Sequence, residues 1–145
     1  MSVGRICQRE VDFAAPEESV FRAAERMRDR TVGALVVLND ARQPIGIITD
    51  RDVTTRVVAV GRDPLATKVQ EVMTPGPKTA GEETTIEMAL SMMRGGAFRR
   101  MPVVNEADEL VGIVTLDDVL MLLCDEFAAI GALLERETPA GAASP

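Results

Sequence analysis

The sequence predicts a mixed α+β fold made of two copies of one helix–strand–strand–helix unit, and three observations carry that prediction. The chain matches itself at an offset of 66 residues without a gap. "ALVVLNDARQPIGIITDRDV" (34–53) set against "RMPVVNEADELVGIVTLDDV" (100–119) gives eight identities in twenty pairs, among them Gly46/Gly112, Thr49/Thr115 and Asp52/Asp118. Ordinary residue frequencies would give about one or two. Each copy opens with apolar residues at helical spacing, then passes through two short apolar runs separated by a polar turn. Two copies suit a paired structure better than a solenoid, which needs more repeats to cover its faces.

The elements follow in order. The first helix has Pro16 near its start and Glu17 and Glu18 in its first turn, where acids suit the helix dipole. Val20, Ala23, Ala24 and Met27 form its apolar stripe. "ALVVL" and "PIGIIT" read as strands around the turn "NDARQ", and a helix follows Asp52. "GRDPLATKVQEVMTPGP" joins the copies, with one helical turn at "KVQEVM". In the second copy Thr84 and Glu87 have capping-box spacing ahead of Ile86, Ala89, Leu90 and Met93. "MPVVN" and "LVGIVT" are its strands. Short, mostly apolar strands are expected to lie under helices. The expected units are 1–66, including the N-terminal segment and the start of the connector, and 67–136, with a fraying tail over 137–145.

The last helix, "VLMLLCDEFAAIGALLERE", is apolar on two faces. Val119, Leu122, Leu123, Phe127, Ile130 and Leu134 make one, and Leu120, Met121, Cys124 and Ala128 the other. One face suits the sheet of its own copy and the other a second subunit across a two-fold contact, joined by Met88 and Met92. The plainer reading keeps all of these residues within one chain's core.

Composition excludes several function classes. There is no histidine, which removes the commonest general base and transition-metal ligand. Cys7 and Cys124 are the only cysteines and are expected as reduced thiols in apolar surroundings, so no metal site is expected. A net charge of −7 with four Phe and no Tyr or Trp argues against a nucleic-acid face. No apolar run approaches the ~20 residues of a membrane span. The N-terminus lacks a signal-peptide pattern, so a soluble cytoplasmic protein is expected.

The paired Thr-x-x-Asp motifs admit two readings. Thr49 with Asp52, and Thr115 with Asp118, have the spacing of a capping box that needs no ligand. The same place presents backbone N–H groups suited to phosphate, a hydroxyl donor, and a carboxylate that can accept both hydroxyls of a ribose. Gly46 and Gly112 would let a ligand or the facing half come close to the backbone.

With these motifs the chain resembles a tandem pair of CBS (cystathionine β-synthase type) domains, the Bateman module. The residues that carry the resemblance are "VMTPGPKTAGEETTIEMALSMM", "RRMPVVNEADELVGIVTLDDV" and "VGALVVLNDARQPIGIITDRDV". The resemblance implies two repeats related by a pseudo-two-fold axis, with sheets packed together, helices outside and two clefts. It implies that Asp52 and Asp118 hold ribose hydroxyls while Thr49 and Thr115 contact ribose or phosphate. It sets the base near Gly33, Ala34 and Leu35 in one copy and Arg100, Met101 and Pro102 in the other, with Thr79 lining a cleft. AMP, ADP or ATP is the implied ligand class, with S-adenosylmethionine or NADH as further adenosyl candidates, and flat two-fold homodimers are common.

The copies differ where a ligand would sit. Phe13 stands where the second copy has Thr79; Asp50 and Arg51 stand where it has Leu116 and Asp117. Arg51 offers a fork of donors for phosphate, whereas Asp117 repels an anion, with Lys78, Arg99 and Arg100 available to offset it. The cleft of Asp52 and Arg51 is therefore expected to favour phosphorylated ligands. The leading expectation is a regulatory ligand-binding module acting on an unidentified effector protein. The alternative is a structural or protein-interaction homodimer with vestigial clefts. No nucleophile–base pair, P-loop or metal cluster stands out, so no enzyme activity is expected.

Overall fold

The computed structural model describes residues 1–96 and 98–137. A short helix α1 (Val3–Ile6) precedes β1 (Phe13–Ala14), α2 (Val20–Arg30), β2 (Ala34–Leu38) and β3 (Pro44–Thr49). β3 runs into α3 (Asp50–Val53), which continues as a π-helical turn over Thr54–Val58. The connector carries α4 (Val69–Val72) and β4 (Thr74–Pro75). The second copy contributes β5 (Ala80–Gly81), α5 (Ile86–Gly96), β6 (Arg100–Val104), β7 (Leu110–Thr115) and α6 (Leu116–Glu137).

The strands make two sheets, β1-β2-β3-β4 and β5-β6-β7. The offset of 66 persists in the ladders: Ala34 faces Thr49 as Arg100 faces Thr115, and the register slips after Val37 as it does after Val103. In the second sheet the place of β4 is taken by Gln8, bridged to Ile113.

Both long helices of the repeat start later than the sequence suggests. Ser19 caps α2 by accepting the Arg22 N–H at 3.2 Å, and Thr85 accepts the Met88 N–H at 3.1 Å at the start of α5. The expected signals fail because their groups are engaged elsewhere. Glu18 accepts the Ala15 N–H and pairs with Arg26, and the Thr84 hydroxyl accepts the Gly81 N–H. The real caps, Ser19 and Thr85, are themselves 66 apart.

Alternation along β2 and β6 sorts the core into three parts. Leu35, Val37 and Ile48 pack on Val20, Ala23 and Met27 of α2. Met101, Val103 and Val114 pack on Ala89 and Met93 of α5. Val36 and Leu38 meet Leu110, with Val11 and Ile113 beside them, and this third cluster joins the two sheets. The Leu110 N–H also donates to the Arg42 carbonyl at 2.9 Å, tying turn to turn.

The packed unit is shifted against the sequence repeat. α1 belongs to the second half: the Val3 N–H donates to Thr84 O, the Gly4 N–H to Glu82 O, and Val3 and Cys7 lie in that core. α4 belongs to the first: Val69 donates to Glu18 O, Gln70 to Pro16 O, and Val69 and Val72 fill that core. The motif glycines serve this crossing rather than a ligand. A Cβ on Gly46 would lie 2.3 Å from Met73 Sδ, and one on Gly112 would lie 2.7 Å from Cys7 Sγ and 2.8 Å from the Gln8 carbonyl.

α6 departs most from expectation. Val119 is its one buried residue and Leu122 is half-buried, while Leu123, Phe127, Ile130 and Leu134 are exposed, Phe127 by 70%. The reading that keeps these residues in one chain's core is therefore wrong, because past its second turn α6 leaves the sheet. Met88 is exposed too, but Met92 packs on the second core. Cys7 is buried, and desolvation pushes its thiol pKa up, whereas Cys124 is exposed, against expectation. Among the described residues no helix is long and apolar enough to cross a membrane. Of the expected tail, Glu137 ends α6 and 138–145 lie outside the described residues.

Candidate ligand clefts

Each Thr-x-x-Asp motif sits where a strand becomes a helix, and each forms its capping box in full. Thr49 Oγ1 accepts the Asp52 N–H at 3.2 Å and Asp52 Oδ2 accepts the Thr49 N–H at 2.9 Å. Thr115 and Asp118 repeat this at 3.2 and 2.8 Å. The box uses one oxygen of each carboxylate and leaves the other, Oδ1, to be accounted for.

The two Oδ1 atoms have different surroundings. That of Asp52 lies 3.7 Å from Arg56 Nε, an ion pair beyond hydrogen-bond length, and accepts no hydrogen bond among the described residues. Arg56 instead donates to the Val72 carbonyl at 2.8 Å and to Thr74 Oγ1 at 3.3 Å. Asp118 Oδ1 accepts from Gln8 Nε2 at 3.0 Å, so both of its oxygens are taken within the chain.

Asp52 and Thr49 line a cavity of about 530 Å³ between the halves, within the size range of small-molecule sites. Lys78, Arg99 and Arg100 line it with them, and Ile47, Pro77 and Phe98 supply apolar surface. A second cavity of about 420 Å³ lies at the place related by the repeat. Thr115, Gly33, Ala34 and Leu35 line it, with Glu10, Asp12 and Asp117 and with Arg100 as the one cation of its lining.

The clefts are thus crossed. The motif of one half faces the strand entry of the other, because the sheets pack face to face through Val36, Leu38 and Leu110. Lys78, Arg99 and Arg100, read from the sequence as offsetting Asp117, gather around Asp52; of these only Arg100 also reaches the second cavity. Gly33, Ala34 and Leu35 lie across from Thr115. Arg51 is exposed and lines neither cleft, and Asp118 is held by Gln8 outside the second lining. Met101 and Pro102 are buried in the sheet. Thr79 lines neither cleft, and Phe13 lies under the Arg42 guanidinium 5.5 Å from its ring centre, beside a separate hollow.

Three contributors were not legible as site residues: Gln8, Thr74 and Arg56. Gln8 and Thr74 are repeat partners, 66 apart, so the self-match that revealed the motifs also marks them. Arg56 stands four residues after Asp52, one helical turn on, where an ion pair is expected.

The profile of the CBS domain matches residues 3–59 and 69–125. The protein MK0525 of Methanopyrus kandleri is 34% identical over 122 residues, 84% of this chain, and the chain spans 62% of that relative's length. Hypoxic Response Protein I, solved with two coordinated zinc ions, superposes with a TM-score of 0.76 at 30% identity, over 83% of this chain and 98% of its own. The CBS domain pair of MJ0100, solved with 5′-methylthioadenosine and S-adenosylmethionine, shares the fold at a TM-score of 0.75 and 24% identity, over 85% and 99%. Among the described residues here, no group of three or more cysteine, aspartate and glutamate side chains is placed to hold a metal ion.

Proposed function

Since the chain belongs to the CBS-domain family, we propose that it is a regulatory module binding a phosphorylated adenosyl ligand in the Asp52 cleft. The observation that supports this is the pairing, in one cavity, of a carboxylate oxygen without a hydrogen-bond donor and three cationic side chains. In this reading Asp52 Oδ1 accepts a ribose hydroxyl and Thr49 stands beside it. Lys78, Arg99 and Arg100 neutralise phosphate, and Ile47, Pro77 and Phe98 cover the base. AMP, ADP and ATP are the first ligands to test, with S-adenosylmethionine and NADH beside them. The cavity lining offers threonine and carboxylate but neither histidine nor cysteine, which favours binding over chemistry. A cytoplasmic setting and an effector protein that reads the bound state complete the proposal.

The test is a thermal-shift and calorimetric panel on the wild type and Asp52→Ala. Ligand at 100 times its dissociation constant stabilises the folded state by about 2.7 kcal/mol. Asp52→Ala is expected to remove most of that shift while losing only about 0.5–2 kcal/mol of stability with its cap. A flat panel for the wild type would leave the interaction-module reading.

One observation favours self-association, which is compatible with either reading. Leu120, Leu123, Phe127, Ile130 and Leu134 recur along α6 at alternating intervals of three and four, the spacing of a coiled-coil seam. Four of them, Leu120, Leu123, Phe127 and Ile130, are between 46% and 70% exposed. No charged residue stands on the seam, and the remaining positions from 128 to 132 are Ala128, Ala129, Gly131 and Ala132, so an identical helix fits without like-charge contact. We assign a second copy of this chain as its partner.

A further inference from the structure

We infer that Gln8 takes the place of a ribose hydroxyl on Asp118 in the second half, so that the protein takes up one nucleotide per chain, in the Asp52 cleft alone. This inference rests on the adenosyl-ligand reading above and extends it to occupancy. Three observations carry it.

The first is the fate of the carboxylate. A ribose diol needs acceptor oxygens, and each of Asp118's already serves the chain: Oδ2 accepts the Thr115 N–H and Oδ1 accepts the Gln8 carboxamide at 3.0 Å, so a hydroxyl would have to share or displace the amide that stands there. Gln8 Nε2 therefore makes the contact a hydroxyl would make. At the equivalent position of the first half stands Thr74, whose shorter side chain turns to Arg56 and leaves Asp52 Oδ1 without a donor.

The second is how firmly Gln8 is held. Its backbone N–H donates to Ile113 O at 2.8 Å and its carbonyl accepts the Ile113 N–H at 2.9 Å. The next residue, Arg9, donates to Glu82 at 2.8 Å and to the Gly4 carbonyl at 2.7 Å. The backbone that carries the carboxamide is thus fixed on β7, which sets the side chain within reach of Asp118 in the folded chain.

The third is charge. Replacing each lining residue of the first cleft by its repeat partner turns Lys78 into Asp12, Gly76 into Glu10, Arg99 into Gly33 and Arg100 into Ala34. Glu10, Asp12 and Asp117 line the second cavity with Arg100, and even with Asp12 offset by Arg30 at 2.8 Å the lining keeps a net negative charge. An anion that dwells among Lys78, Arg99 and Arg100 is repelled here. Occupation of Asp118 by Gln8 and rejection by charge act in the same direction on nucleotides, but only the first acts on an uncharged nucleoside.

That difference sets the experiment. AMP and adenosine are titrated calorimetrically into the wild type, Gln8→Thr, which copies the first half, and Gln8→Thr/Asp118→Asn. Thermal unfolding of each variant checks that it is folded. The wild type is expected to take one equivalent of either compound per chain. Gln8→Thr should take a second equivalent of adenosine but not of AMP. The double variant should lose the second adenosine, weakened at least about tenfold, as expected for the loss of a hydrogen bond to a charged group. Two equivalents in the wild type would overturn the inference while leaving the ligand reading intact. So would a folded Gln8→Thr that still takes one adenosine. No binding of AMP or adenosine by the wild type or by Gln8→Thr would overturn this inference, and the ligand reading falls with it only if the wider adenosyl panel is flat as well. If the Gln8 variants do not fold, the wild-type adenosine stoichiometry decides, because charge does not exclude an uncharged nucleoside.

Discussion

The helix after the first Thr-x-x-Asp box and the helix after the second begin alike and end differently. Both start from the same capping box, and both place a valine on the core one turn in, Val53 and Val119. Their next apolar partners then part: Val57 is fully buried in the first half, whereas its repeat equivalent Leu123 is 46% exposed. The physical difference is the π-helical turn over Thr54–Val58, which α6 lacks. A wider turn shifts the phase of everything after it, and in the first half it carries Val57 back onto the core. The first helix then ends at Val58, and the turn beyond it passes through Gly61, whose φ of +75° suits glycine. α6 keeps its α phase, aims Leu123 outward, and runs on to Glu137. Position in a repeat therefore does not decide whether an apolar residue is core; helical phase does.

The largest expected effect sharpens that contrast. If the outward stripe of α6 is a seam for a second copy, Phe127→Asp with Ile130→Asp weakens the dimer at least about a hundredfold, because each lost apolar side chain is worth about 1.5–3 kcal/mol when buried. Sedimentation equilibrium reads this directly. Folded wild-type chains that are monomeric at high concentration would sink the seam.

A middle-sized effect separates the two halves where they look most alike. Gly112→Ala drives a methyl against the Gln8 carbonyl, which is backbone, and should cost about 1–3 kcal/mol in urea unfolding. For Gly46→Ala the three nearest atoms all belong to the Met73 side chain, which is flexible, and the change should cost less. Equal costs would mean that the two crossings yield in the same way.

The smallest effect concerns acid. In the first half, burial raises the Glu18 pKa, but the Arg26 guanidinium and the Ala15 N–H outweigh it and hold this carboxyl below its ordinary value. At that position the second half has Thr84, and opposite it Met92 in place of Arg26. A lowered folded-state value means that the pair stabilises above the ordinary carboxyl pKa and that this contribution is lost as pH falls through the lowered one. With both partners partly exposed the contribution is about 1 kcal/mol or less. Amide exchange should therefore rise in α2 before α5 on acidification, and Glu18→Gln should abolish the difference. Equal rises in the wild type would show that the pair does not set acid sensitivity.

Much of the fold was legible because duplication prints the same constraints twice. The strands, the polar turns and the capping boxes each appeared at one offset, and Asp52 and Thr49 were singled out for the same reason. What stayed hidden depended on contacts between distant segments. Nothing near Glu18 or Thr84 says that their side chains are engaged, so the sequence places the starts of α2 and α5 too early. Nothing near Arg51 says that it faces away while Lys78, Arg99 and Arg100 come across from the other half. The role of Gln8 depends on a contact 110 residues away.

The exchange of α1 and α4 between the halves has a consequence for any attempt to split the molecule. A cut at the repeat boundary, after Ala66, gives one piece without Val69 and Val72 and another without Val3 and Cys7, so each has a hole in its centre. Each piece nevertheless carries the plug the other lacks. Mixed together, the two should rescue one another as a complementing pair, whereas a segment from Phe13 to Gly76 would hold a whole half by itself.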